Sequence, residues 1–166
     1  MSEYDIFKVF PRMPKKVTLG DITVRDGFQH EENWIPTAAK IYYAQELAFA
    51  GVKRIEVTNL GNPRIMPQFK DAEEVLKGIH DNIFEKRLAK RGINFEDIEW
   101  TAVTIREPSV DRAIRLKEQG VGPNRILMMV STDEEHHFAN SGTTLPAYWA
   151  EVERCIKKCK DAGIKM

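Results

Sequence analysis

Along the 166-residue chain, apolar positions fall into two alternating patterns, short dense runs and stripes at helical spacing. The run at 17–24 predicts a strand that stops at the charged pair Arg25 and Asp26, with Gly27 there to let the backbone turn. Residues 38–50 put Ile41, Ala44, Leu47 and Ala48 on one helical face and end at Gly51. A second strand is predicted at 53–58, followed by a loop through Asn59, Gly61 and Pro63. From 71 to about 88, Val75, Leu76, Ile79 and Ile83 form a second helical stripe. A third strand at 99–105 leads to a helix opened by Pro108 and Ser109, carrying Ala113, Ile114 and Leu116, and closed by Gly120. The fourth strand, 125–131, is nearly all apolar, as a strand covered on both faces should be. The last helix, 145–162, has Tyr148, Trp149, Val152, Ile156 and Cys159 as its expected buried stripe.

Strand, loop and helix thus recur four times, which implies a parallel sheet with right-handed crossovers. Strand starts near 17, 53, 98 and 125 give a repeat of roughly 36 residues, so eight units need on the order of 280, the size of a (β/α)₈ barrel. The expected fold is α/β, a parallel (βα)₄ half of a TIM barrel. It occupies 17–166 after a lead-in at 1–16, with 163–166 standing where a fifth strand would begin and the C-terminal half absent.

Charge narrows the function classes. Lys plus Arg and Asp plus Glu both number 25, so there is no net field to draw nucleic acid or anionic lipid. The basic cluster Lys86, Arg87, Lys90 and Arg91 has acidic neighbours and reads as a solvated helix face. No apolar run approaches the ~18 residues of a membrane span, and the acidic Glu3 and Asp5 disfavour a secretory leader. Two cysteines, Cys155 and Cys159, are too few for a disulfide framework. Reduced thiols and a cytoplasmic location are the expectation.

The candidate chemistry lies at Arg25 and Asp26. A guanidinium beside a carboxylate at a strand end suits the joint holding of a metal and an anionic oxygen; the alternative is a surface salt bridge. In register with Glu56 on the next strand, and with Pro63, Pro67 and Gln68 beyond it, the pattern resembles the metal-dependent lyase and acyltransferase barrels of the DRE-TIM superfamily. The resemblance is strongest to the hydroxymethylglutaryl-coenzyme A lyases and runs from about 17 to 166. It implies a carbon–carbon lyase working through an enolate, with Asp26 a ligand of Mg²⁺ or Mn²⁺ acting as a Lewis acid. Arg25 would stabilise the enolate charge, and Glu56 would orient Arg25 or metal-bound water. Gln29 and Asn59 are substrate or supporting contacts, and Thr104 and Ser131 emerge at the barrel mouth with them. Arg106 meets a substrate carboxylate or faces solvent. His136 and His137, in a loop after the fourth strand, contact substrate or are solvated.

Two departures bear on activity. The family completes its metal site with a His-x-His pair and the lyases use a loop cysteine, and neither pattern occurs here. The lysines expected near coenzyme A phosphates are Phe138 and Ala139, which leaves an acyl-coenzyme A thioester and a free 2-oxo acid both open as substrates. Alternative functions are a Claisen-type acyltransferase, a carboxyltransferase, or a non-catalytic half-barrel assembly module. Open sheet edges predict a homo-oligomer or pairing with a complementary C-terminal half-barrel.

Overall fold

Three of the four strands form where the apolar runs place them, and their order explains how the site is built. The computed structural model describes Pro14 and residues 16–166; the expected lead-in at 1–16 lies almost wholly outside these. The parallel sheet runs β1-β2-β3-β4, with β1 Gly20–Asp21, β2 Arg54–Asn59, β3 Glu99–Thr104 and β4 Arg125–Met128. Each strand pairs with the next across a helical connection, as the first half of a (β/α)₈ barrel requires.

β1 is far shorter than the predicted 17–24. Asp21 accepts hydrogen bonds from the Thr23 amide at 2.8 Å and the Thr23 hydroxyl at 3.3 Å, a local turn that competes with strand pairing. The chain then enters a π-helical turn, Thr23–Gly27, in which the Gly27 amide reaches back to Ile22 O at 3.4 Å. Val17 and Leu19, just before β1, are 75% and 78% exposed, and among the described residues no strand pairs with the outer edge of β1.

Helix α1, Thr37–Phe49, buries Ala44 and Ala48 against the sheet, and Gly51 ends it at φ +89°, a conformation that favours glycine. The helix predicted over 71–88 is two helices, α2 Ala72–Ile79 and α3 Asn82–Lys90. Asp81 breaks it by accepting from the Phe84 amide at 3.2 Å, an N-cap that restarts the helix in a new phase. Phe84 and Leu88 are consequently buried, and Ile83 is exposed.

Helix α4, Glu107–Glu118, follows β3. β4 stops at Met128 rather than 131, and Met129 is exposed, so this strand is covered on one face only. Its far edge carries a single parallel bridge, Arg125 to Lys165, with the Ile126 amide donating to Lys165 O at 2.8 Å. The predicted loop after β4 contains helix α5, Glu134–Ser141, capped by Asp133 and ended by Gly142 at φ +68°. The final helix, α6 Leu145–Asp161, buries Tyr148, Glu151, Val152, Cys155 and Cys159. Trp149 and Ile156, placed in its stripe from the sequence, are exposed on its flank.

The helices cover the outer face of the sheet, where Ile55, Val57, Trp100, Ala102 and Ile126 form the core with helix residues. The inner face is open and carries a groove of about 200 Å³ lined by Arg54, Glu56, Thr101, Arg125 and Leu127. Among the described residues, no helix is long and apolar enough to cross a membrane.

Candidate active site

The π-helical turn after β1 delivers Arg25 onto the inner face of β2. π turns recur at functional sites because they re-aim a side chain without ending the helical path. Wholly buried Val24 anchors the turn. Arg25 Nε donates to Glu56 Oε2 at 2.7 Å, and Nη2 lies 2.5 Å from the same oxygen. Arg25 Nη1 meets Asp26 Oδ1 at 2.5 Å. Both side chains of the Arg25–Glu56 pair are about nine-tenths buried, whereas 42% of the Asp26 side chain stays exposed. One fixed cation is thus flanked by two carboxylates, one inside and one at the rim. The cluster keeps a net negative charge beside a group able to donate to an oxyanion.

A divalent cation needs more. Among the described residues, no three His, Cys, Asp or Glu side chains come together to hold an ion. Asp26 fits one vertex of an oxygen-rich site, and the described residues do not make up a whole one.

The other expected site residues are spread out. Asn59 is buried at the end of β2, where its Oδ1 accepts from the Gly61 amide at 2.8 Å and its Nδ2 lies 2.9 Å from Met66 Sδ. Its amide shapes the loop rather than projecting into solvent. Gln29 is half-buried and lines a separate hollow of about 410 Å³ with Trp34, Met66 and Gln68. Thr104 is completely buried and donates to Leu127 O at 3.3 Å, so it staples β3 to β4. Ser131 is half-buried beyond β4.

Arg106 is exposed, with 44% of its side chain in solvent, and is paired with Glu151. Its Nε donates to both Glu151 oxygens at 3.0 Å and its Nη1 to Ser141 O at 3.1 Å. Burial opposes ionisation of Glu151, but the Arg106 guanidinium and the Glu107 amide outweigh it and hold the carboxyl below its usual range. The two histidines are helical, not in a loop. His137 is buried, with its ring centroid 4.4 Å from that of Tyr148 and a ring nitrogen 3.0 Å from Ser141 Oγ. His136 is exposed and pairs with Asn140 at 2.7 Å. Over the strand ends, Leu60, Asn62, Met66, Ile105, Arg106 and Asn140 line a groove of about 670 Å³ with mainly apolar walls.

A buried polar hub beside the site was missed from the sequence. Lys40, 1% exposed, donates to Asp71 at 2.8 and 3.1 Å and to the Gln68 carbonyl, and its ammonium lies 3.8 Å from the Trp34 ring. The Thr37 hydroxyl also donates to Asp71, at 2.8 Å, and Gln68 Nε2 donates to Glu31 O and Asn33 O, each at 2.7 Å. Burial pushes the Lys40 ammonium below the ordinary lysine range while Asp71 opposes the shift. The hub ties the segment after the π turn to the loop after β2. The signal was available: Lys40 is in phase with Ala44 and Ala48 on the buried face of α1.

Comparison with known proteins places this geometry in context. A family model described as HMGL-like matches residues 16–166. The hydroxymethylglutaryl-CoA lyase of Bacillus subtilis is 42% identical over 66 residues, covering 40% of this chain and 22% of the lyase. The human mitochondrial hydroxymethylglutaryl-CoA lyase is 42% identical over 67 residues, covering 40% and 21%. Among solved structures, the Bacillus subtilis HMG-CoA lyase overlays with a TM-score of 0.74 at 25% identity, covering 91% of this chain and 45% of that one. An A. baumannii HMG-CoA lyase, in complex with coenzyme A and 3-methylmalate, overlays at 0.72 and 24% identity, covering 89% and 42%. The chain therefore spans less than half the length of the solved lyases it overlays.

Proposed function

The chain belongs to the HMGL-like family, and from that premise we propose that it forms the enolate-stabilising half of a carbon–carbon lyase acting on an acyl-coenzyme A thioester of the hydroxymethylglutaryl type. The observation that carries the proposal is the Arg25 guanidinium, buried and locked by Glu56 on the inner face with Asp26 at the rim. In a retro-aldol cleavage the bonding electrons of the broken carbon–carbon bond pass onto the thioester carbonyl oxygen. A donor already fixed where that charge appears lowers the barrier without reorganising. Glu56 keeps Arg25 in one rotamer and Asp26 confines it from the other side.

Asp26 supplies one oxygen toward a divalent cation, Mg²⁺ or Mn²⁺, whose chemistry when bound is to polarise the substrate oxygens. The remaining ligands come from outside the residues gathered here, so the reaction depends on a complementary half-barrel. The apolar groove over the strand ends supports an elongated acyl-coenzyme A substrate. Buried free Cys155 and Cys159 accord with a reducing, cytoplasmic setting.

The test is a retro-aldol assay on 3-hydroxy-3-methylglutaryl-coenzyme A with Mn²⁺, run on the chain alone and co-expressed with the second four βα units of the Bacillus subtilis lyase. Activity is expected only in the pair, and Arg25→Met should remove it. A pair equally active with Arg25→Met would end the proposal. Phe138 and Ala139 favour keeping a second reading, condensation of acetyl-coenzyme A with a 2-oxo acid, which the same preparation can be assayed for directly.

A further inference from the structure

Residues 30–36 lead out of the turn that carries Arg25 and belong to no helix or strand, yet alternate backbone groups along them share one partner. Gln68 Nε2 donates to Glu31 O and to Asn33 O, each at 2.7 Å, and its Oε1 accepts from the Ile35 amide at 3.3 Å. Two carbonyls on one side of the side-chain amide and an N–H on the other fix its orientation, so both donors and the acceptor are used. A single side chain thus does for residues 31, 33 and 35 what a neighbouring strand would do. Gln68 is itself held: it is 6% exposed, lies in a 3₁₀ turn, Pro67–Phe69, and its carbonyl accepts from Lys40 Nζ. Its loop also reaches the end of β2, where Met66 Sδ lies 2.9 Å from Nδ2 of Asn59, three residues beyond Glu56. The segments after β1 and after β2 are therefore joined twice, by Arg25 on Glu56 at the sheet and by Gln68 on residues 31–35 at the rim.

We propose that Gln68 is a positioning residue for Arg25, acting through residues 28–35 to hold the π-helical turn, and with it the guanidinium, in one orientation. Wholly buried Val24 fixes the turn on the side of the sheet. On its other side the turn runs straight into the clipped segment, where the Glu31 amide donates to Phe28 O at 3.2 Å. Without the clip, Glu31 O, Asn33 O and the Ile35 amide turn to water, and the end of the turn is released with them. Gln suits this task and Glu does not: an ionised carboxylate of the same shape would face two carbonyls with no proton to give. The geometric part of the proposal stands without the lyase reading; the claim that this geometry sets the rate rests on it.

The Nε–H of Arg25 reports the effect. Donating to Glu56 in a buried setting, it should give a slowly exchanging resonance in the ¹⁵N-labelled chain, assigned by its absence in Arg25→Lys. At about pH 7, Gln68→Glu and Gln68→Leu should each speed that exchange about tenfold over the parent, while the Ile55 and Trp100 amides keep their protection. As pH falls through its titration, the introduced carboxyl gains one O–H donor, so Gln68→Glu should recover part of the parent's protection at the same pH and Gln68→Leu should not. Exchange at Arg25 equal to the parent's in both variants overturns the proposal. So does joint loss of protection at Arg25, Ile55 and Trp100, or a Gln68→Glu defect indifferent to pH. Paired with the second four βα units of the Bacillus subtilis lyase, both variants should lower kcat about tenfold or more and move KM less than about twofold, because the held charge acts in the transition state. A change in KM alone counts against positioning. An inactive parent pair speaks against the lyase reading, and the exchange data then decide the clip by themselves.

Discussion

Replacing Glu56 by Gln removes one charge from the candidate site with almost no change of shape, and its cost follows from the geometry. Removing one partner of a buried ion pair costs about 3–5 kcal/mol because the other charge is stranded. Here the loss is softened twice. The carbonyl of the introduced amide would still accept from Arg25 Nε, and Asp26 remains 2.5 Å from Nη1, although its side chain is 42% exposed. A net loss of about 2–3 kcal/mol is expected. At ~2–4 °C per kcal/mol for a chain of this size, the thermal midpoint should fall by about 4–12 °C. Urea and thermal melts followed by circular dichroism read this, and the Arg25→Met, Glu56→Met pair completes a double-mutant cycle. The double variant should be nearer the parent than either single one, since no buried charge is then left alone. A Glu56→Gln melt within about 0.5 kcal/mol of the parent would refute the buried pair.

Four further outcomes are expected. Lys40→Ala strands the Asp71 carboxylate and should cost about 2–4 kcal/mol in urea unfolding, with faster proteolysis across 28–36, the segment the hub secures. Burial pushes the His80 imidazole below its ordinary 6.5 while its hydrogen bond to Gly122 O opposes the shift. Its contribution is therefore full above pH 6.5 and lost as pH falls through and below that value, so His80→Gln should flatten the pH 5–8 dependence of the urea midpoint. Gly122→Ala would bring a Cβ within 2.2 Å of Lys117 N, a backbone clash expected to cost more than about 3 kcal/mol or prevent folding, read by soluble yield and melting. Burial pushes the Cys155 thiol up to about 11, so neither buried thiol should react with a disulfide reagent at pH 8 until denaturant is added.

The sequence was legible where an element's period matched its surroundings. β2 and β3 each have a strand on either side and bury every residue after the first, so their dense runs mark them to within a residue or two. β1 failed because it is an edge strand and Asp21 diverts its backbone into a turn. The helix break at Asp81 was hidden because Ile79 and Ile83 continue the spacing across it, and only the cap restarts the phase. Helix α5 has no apolar stripe to reveal it, since His137 is its one buried residue. Arg25, Asp26 and Glu56 were legible as a set through the family resemblance, whose signature they match, but the π-helical turn that aims Arg25 at Glu56 was not. Thr104, Arg106 and His137 were not, since their partners Leu127, Glu151 and Tyr148 come from other elements that no local pattern ties to them.

Trp34 gives the molecule an optical gauge of its own loop. Its indole is approached by two ammonium groups, Lys40 at 3.8 Å and Lys70 at 4.1 Å from the ring centroid, yet keeps 40% of its surface in solvent. Of the other tryptophans, Trp100 is sealed in the core and Trp149 is on the outside of α6. The fluorescence of a variant carrying Trp34 alone would therefore follow the seating of one segment, with no dye attached. Because that segment leads directly out of the turn bearing Arg25, its emission offers a running record of whether the guanidinium is still at its post.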